Sequence, residues 1–309
     1  MAADHGGPEK ESMSDDKDKP QAAIAPLAYE NKAFLNGPEG RGIRIMSEYY
    51  EPLARFRKER IQDTIVFFGS ARFHSRSEAE NALLLLDKPG SRTPAPPEQQ
   101  AAVQKAKAAV QMARYYEDAR KLSFMLTKWS MGIPGKRHRF VITSGGGPGI
   151  MEAANLGAYE AGGKTIGLNI RLPYEQMPNR YITPSLNFEF HYFFMRKYWF
   201  AYLSKALVIF PGGFGTMDEL FEILTLAQTE KLAKKILVVI YGREYWNRVI
   251  NLDALAESGA IAPEDKDLFR MADTPEEAFE TLKHGLTKFH LQAPPPAKEK
   301  APEIAKTRG

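Results

Sequence analysis

Short apolar runs alternate with longer amphipathic stretches along most of the chain. Five runs read as strands, at residues 64–68, 139–143, 164–169, 206–210 and 236–241. Several are rich in β-branched residues and nearly continuous in hydrophobicity, the pattern of strands buried on both faces of a parallel sheet. Between them the spacing predicts helices over 99–130, 149–161, 192–204, 216–230 and 243–256. A last helix starts at Pro275, with Thr274 to cap it and Glu277 to complete a capping box. The alternation predicts an α/β fold with a doubly wound parallel sheet and helices on both faces. Ahead of the sheet, residues 44–60 predict an N-terminal helical extension with Met46, Tyr49, Tyr50, Leu53 and Phe56 on its apolar side.

The remaining segments lack such periodicity. Residues 1–40 are rich in Asp, Glu, Lys, Gly and Pro and read as a poorly ordered tail, the first twenty as disordered. Residues 293–309 read as a Pro- and Lys-containing disordered tail, which leaves 41–292 as a single domain. Residues 74–110 separate the first strand from its partner helix. They form an insertion whose Pro-rich stretch, 87–100, reads as a surface loop.

Composition narrows the function. The 309 residues carry a net charge of only +4, which suits a small anionic substrate and lacks the basic stripe of a nucleic-acid binder. There is no cysteine, so disulfides, thiolate metal sites and a cysteine nucleophile are excluded. His138 and His191 have no metal-ligand spacing, and no metal or cofactor is expected. No apolar run approaches the roughly 20 residues of a membrane helix. The polar N-terminus lacks the apolar core of a signal peptide. The expectation is a cytoplasmic protein that contacts neither nucleic acid nor membrane.

Three predicted strand ends are rich in glycine or small residues: Gly69-Ser70, Gly145-Gly146-Gly147-Pro148-Gly149 and Gly212-Gly213-Phe214-Gly215-Thr216. Ligands of doubly wound sheets bind beyond the carboxyl ends of the strands, and free N–H groups at a helix start form an anion site. Two common nucleotide motifs are absent. Gly163-Lys164-Thr165 ends like a P-loop, but Ala158 stands where its first Gly belongs. Ile150 stands where a dinucleotide fingerprint starting at Gly145 needs its third Gly. The third loop runs directly into Asp218, Glu219 and Glu222, which could complement a helix dipole, and Glu219 could close a capping box on Thr216. A carboxylate beside an anion site favours one of these acids facing a ligand. Arg196, embedded in an aromatic stretch, needs an anionic partner and is a candidate ligand for phosphate or carboxylate.

Together, Gly145 to Ala153, Met195-Arg196-Lys197 and Pro211 to Glu219 resemble the Lonely Guy family, often mislabelled lysine decarboxylase. The resemblance covers roughly residues 60–290. It implies a Rossmann-like fold and a phosphoribohydrolase that splits a nucleoside 5′-monophosphate, AMP or a cytokinin riboside monophosphate, into free base and ribose 5-phosphate. It implies Arg196 and Glu219 as the catalytic pair and a homo-oligomer. Substrate binding then falls to Gly69, Ser70, Gly145, Gly146, Gly147, Gly149, Lys197, Gly212, Gly213, Gly215 and Thr216. No lysine stands in a context that specifies a pyridoxal phosphate Schiff base. The competing reading on the same fold is a non-catalytic nucleotide or molybdenum-cofactor carrier.

Overall fold

The computed structural model describes residues 25–86, 96–173, 177–232 and 234–292. The expected disorder at 1–20 and 293–309, and most of the Pro-rich stretch, lie outside these residues. Residues up to Met46 and residues from Ser47 onward form two units. In the first, Ala28–Glu30 makes a single 3-10 turn and α1 spans Lys32–Asn36. The Asn31 side chain caps α1 by accepting from the Phe34 N–H at 3.1 Å. Helix α2 (Arg41–Lys58) runs across the boundary into the second unit.

The second unit continues with β1 (Thr64–Phe68), α3 (Arg76–Leu86), α4 (Pro97–Met131), β2 (Val141–Ser144), α5 (Ile150–Glu160), β3 (Thr165–Ile170) and β4 (Asn187–Phe190). Then follow α6 (Phe193–Leu203), β5 (Ser204–Ile209), α7 (Phe214–Gln228), β6 (Leu237–Tyr241), α8 (Arg243–Val249), α9 (Leu252–Glu257), β7 (Phe269–Ala272) and α10 (Pro275–Leu286). The seven strands form one sheet in the order β4-β3-β2-β1-β5-β6-β7, and every pair is parallel. This is a doubly wound, Rossmann-like α/β fold. The order reverses between β1 and β5, so the crevice beyond their carboxyl ends is the natural ligand site.

Strand alternation divides the core. Ile65, Phe67, Ile142, Val208, Val239 and Tyr241 pack in one cluster with Leu122 and Leu126 of α4, Ala154 of α5 and Leu282 of α10. Val66, Phe68, Leu207 and Ile209 belong to the opposite parity, and Phe68 meets Phe200 of α6 with ring centroids 4.8 Å apart. Helices therefore cover both faces, as continuous hydrophobicity in β1 and β5 requires.

The five expected strands are all present, with ends shifted by up to two residues. The expectation omits β4 and β7. Each edge strand has four residues, and neither is buried throughout, so neither produces a continuous apolar run. The helix expected over 243–256 is two helices. Asn251 breaks it because its side chain caps α9, accepting from the Ala254 N–H at 3.0 Å. The insertion is largely helical, with α3 and the start of α4 flanking the Pro-rich stretch. Thr274 caps α10 as expected, accepting from the Glu277 N–H at 3.2 Å. The Glu277 carboxylate, however, accepts from the N–H of Asp273, one residue before the cap.

The leading helix also fixes α6. Pro52 lies inside α2 and cannot donate to the Glu48 carbonyl four residues back. The indole N–H of Trp199 satisfies that carbonyl at 2.8 Å. The Glu48 carboxylate accepts from the backbone N–H groups of His191 at 2.7 Å and Tyr192 at 3.2 Å, at the start of α6. A carboxylate there complements the positive end of the helix dipole. Met46 and Tyr50 remain exposed, so only part of the expected apolar side is covered. No helix among the described residues is long and apolar enough to cross a membrane.

Replacing Glu48 by Ala removes the acceptor for two N–H groups and is expected to cost about 1–2 kcal/mol, measured by urea unfolding. Glu48→Gln, which keeps an acceptor oxygen, should recover part of that loss.

Candidate active site

Three backbone hydrogen bonds hold the glycine-rich loops together. The Ser70 N–H donates to the Pro211 carbonyl at 3.0 Å, and the Ser70 carbonyl accepts from the Ile150 N–H at 3.0 Å. The Phe210 N–H donates to the Phe68 carbonyl at 2.8 Å. Ser70 thus joins the loop after β1 to those after β2 and β5. Its hydroxyl accepts from the Arg72 N–H at 3.1 Å and turns the chain back over the sheet edge.

A cavity of about 760 Å³ opens above this junction. Gly69, Ser70, Gly145, Arg196, Gly212, Gly213, Gly215, Thr216 and Glu219 line it, so the three loops meet both acid and base. Gly146, Gly147, Gly149 and Lys197 lie outside its lining. Gly146 and Gly147 offer their carbonyls to the side chain of Asn179 at 3.1 Å each. Gly149 has φ +71°, and a Cβ there would stand 2.4 Å from the Ser70 carbonyl oxygen. Its role is close approach of two loops, which only glycine permits. Lys197 turns to the acids of α7, meeting Asp218 and Glu222 at 2.6 Å each. Burial works against the Lys197 ammonium, but these two carboxylates outweigh it and push its pKa up to about 12.

The two helix starts differ. At α5 the Ile150 N–H is already spent on Ser70. At α7, Gly213 is the cap, and its carbonyl accepts from the Thr216 and Met217 N–H groups at 3.0 Å each. The N–H groups of Gly213, Phe214 and Gly215 have no protein acceptor among the described residues, and all three residues line the cavity. That end of α7 can hold a phosphate. Thr216 is therefore not the cap, and Glu219 closes no capping box. Instead Glu219 is 7% exposed, and that exposure opens into the cavity.

Arg196 donates from Nε to the Leu168 carbonyl at 2.7 Å, and its guanidinium lies 5.0 Å from the Phe200 ring centroid. Burial pushes its pKa below the ordinary value, against the pull of Glu219. Burial pushes the Glu219 carboxyl up to about 7, against the pull of Lys197 and Arg196. Acid and base attract across the cavity wall without an ion pair, and no protein group donates a hydrogen bond to the Glu219 carboxylate among the described residues. A carboxyl that titrates near neutrality in a cleft can exchange a proton with bound water or substrate.

Phe73 and Met151, which flank the loops after β1 and β2, also line the cavity, as do Met112 and Tyr245, which come from distant segments that carry none of the motifs. Met112 belongs to α4, and the Tyr245 hydroxyl of α8 donates to the Gly212 carbonyl at 2.8 Å, bracing the α7 loop. No group of three or more His, Cys, Asp or Glu able to hold a metal occurs among the described residues.

Residues 151–282 match the family described as "possible lysine decarboxylase". A probable cytokinin riboside 5′-monophosphate phosphoribohydrolase of Oryza sativa subsp. japonica is 30% identical over 149 residues, which is 46% of this chain and 56% of that protein. A cytokinin riboside 5′-monophosphate phosphoribohydrolase of Arabidopsis thaliana is 29% identical over 46% of this chain and 66% of its own length. The chain therefore spans less than two thirds of these relatives. Among solved structures, the molybdenum cofactor carrier protein of Chlamydomonas reinhardtii is 20% identical, covering 73% of this chain and 99% of that one, with a TM-score of 0.40. A pyridoxal phosphate decarboxylase needs a lysine to hold its cofactor, and none of the described residues lining the cavity is one. The site does not fit that group.

Two glycine substitutions should separate scaffold from chemistry. A Cβ on Gly145 would stand 2.6 Å from a terminal nitrogen of Arg196 and 2.6 Å from the Met151 sulfur, both ends of flexible side chains. Gly145→Ala should keep stability within about 1 kcal/mol while displacing the guanidinium. Gly149→Ala clashes with backbone at positive φ and should cost roughly 2–5 kcal/mol in urea unfolding.

The Glu219 carboxyl adds a pH dependence. Its folded pKa of about 7 lies above the ordinary 4.5, so the folded state favours the protonated form. Stability is full below pH 4.5 and is lost as pH rises through 7. Glu219→Gln stays neutral, so it should match the parent at pH 4.5 and exceed it by up to roughly 3 kcal/mol at pH 8.

Proposed function

We propose that this chain, a relative of the Lonely Guy family over residues 151–282, hydrolyses the N-glycosidic bond of a purine nucleoside 5′-monophosphate. AMP is the first substrate to test, and cytokinin riboside 5′-monophosphates are the second. The observation that carries the reading is the placing of Glu219 and Arg196 on one cavity wall with the open start of α7. The N–H groups of Gly213, Phe214 and Gly215 hold the 5′-phosphate, with Thr216 and Ser70 beside them. The ribose then lies over Glu219.

The reaction adds water across one bond. The C1′–N bond breaks with its electron pair leaving on the base nitrogen, and positive charge develops on the ribose. The ionised Glu219 carboxylate stabilises that charge and takes a proton from the attacking water, whose oxygen bonds to C1′. The base takes up a proton, and the products are free base and ribose 5-phosphate. Arg196 orients the nucleotide. Its Nε is fixed by Leu168, which leaves the terminal nitrogens for the ligand. Burial raises the value of each charge here, because the surrounding dielectric is low.

Purified protein incubated with AMP should release adenine and ribose 5-phosphate, followed by chromatography beside isopentenyladenosine monophosphate, GMP, CMP and IMP. Glu219→Gln should lower turnover at least about 1000-fold while AMP affinity stays within a few-fold. Because the ionised carboxylate is the working form, kcat/KM should rise with pH and level off above about 7. Near-normal turnover in folded Glu219→Gln sinks the assignment. Nucleotide binding without base release from any of the five would move the protein to the non-catalytic reading.

A further inference from the structure

The amino-terminal edge of the sheet carries a second pocket, at the opposite end of β1 and β2 from the candidate active site. Arg57, Arg60, Lys136 and Arg137 line a concavity of about 750 Å³, and Ile61 forms its apolar part. Arg57 lies in the last turn of α2 and Arg60 just past its end, before β1, while Lys136 and Arg137 precede β2. The chain crosses between these segments in a tight register. The His138 N–H donates to the Arg60 carbonyl at 2.8 Å, and the Gln62 N–H donates to the His138 carbonyl at 2.9 Å. The four cations are thus held together by backbone.

None of the four makes an ion pair among the described residues, and none of the described residues lining the pocket is acidic. The neighbouring acid, Glu59, is already taken by Lys164 at 2.7 Å. A helix C-terminus attracts cations, which accounts for Arg57. It does not account for Lys136 and Arg137, which come from a different turn. Four like charges in one concavity repel one another unless an anion joins them.

Arg60 also closes α2. The Arg60 N–H donates to the Arg57 carbonyl at 3.1 Å and the Ile61 N–H to the Phe56 carbonyl at 2.9 Å, the paired bonds that close a helix through a left-handed residue. Glycine is the usual residue there, yet Arg60 holds φ 56°. Arg60 thus sets the direction in which the chain leaves α2 for β1.

We propose that this pocket binds a linear polyphosphate group. The argument rests on charge density and on the chemistry of the cations. Guanidinium forks match phosphate oxygens in pairs, and three phosphates in a row supply the several negative charges that four cations require. Among the described residues no aromatic side chain lines the pocket for base stacking, and the concavity is local rather than a stripe along the surface, which disfavours a nucleic-acid strand. The polyphosphate can be free or carried on a nucleoside. The pocket is separate from the catalytic cavity, so the proposal stands or falls independently of the hydrolase reading.

The test is calorimetric titration of the full chain with inorganic tripolyphosphate, and separately with ATP, at low salt. Arg57→Glu with Arg137→Glu should weaken tripolyphosphate binding at least about 100-fold, because two charge-assisted contacts become repulsions. Lys105→Glu with Lys107→Glu, the same charge change on exposed positions of α4, should shift affinity less than about threefold if binding is local. Arg60→Gly should leave the protein at least as resistant to urea, since glycine suits the left-handed position, while lowering affinity about tenfold. The arm with the greater pocket-dependent affinity shows whether the chain is free or nucleoside-borne. Binding that survives the Arg57/Arg137 reversal, or that the control reversal weakens equally, would overturn the proposal, as would no binding in either arm.

Discussion

Everything at the carboxyl edge of the sheet depends on the backbone of Ser70. Its N–H and its carbonyl bind loops that follow two other strands, so one residue fixes the spacing of three chain reversals. Buried backbone polar groups must find partners, and here the partners are other loops rather than water. The junction needs Gly149, because any side chain there would meet the Ser70 carbonyl. It also consumes the first N–H of α5, whereas the first N–H groups of α7 stay open toward the cavity. The division of labour between the two helices follows from that single bond.

The charges that face the cavity are held at a cost to the fold. Glu219 and Arg196 are both shifted toward neutrality by burial, and each is only partly compensated by the other. A closed ion pair would be more stable but would leave neither group free for a ligand. Lys197, Asp218 and Glu222 absorb the nearby charge on the outer side of the same helices. Burial holds the carboxyl at the threshold of ionisation, and the pull of Lys197 and Arg196 offsets only part of that.

The sheet interior was legible because strands buried on both faces produce unbroken apolar runs. The edges were not, since β4 and β7 are short and half exposed. That Gly69, Gly145 and Gly212 meet at one cavity was readable from their position after strands. The different duty of Gly146, Gly147 and Gly149 was not, because Asn179 and Ser70 lie far away in sequence. Arg196 and Lys197 read as a pair, yet consecutive helical residues point in different directions, and only one reaches the cavity. Tyr245 and Met112 carry no motif, since they reach the site through tertiary packing of α8 and α4 alone.

The leading helix connects these levels. Its Glu48 caps α6, and α6 carries Arg196 to the cavity at the carboxyl edge. Its last turn and the residues just after it place Arg57 and Arg60 at the amino edge, beside the turn that precedes β2. A helix that reads as an addition to a complete fold therefore braces the helix that carries Arg196 and also lines a cationic pocket. Rigid strands β1 and β2 run between the two edges, with Gly69 and Gly145 at their far ends.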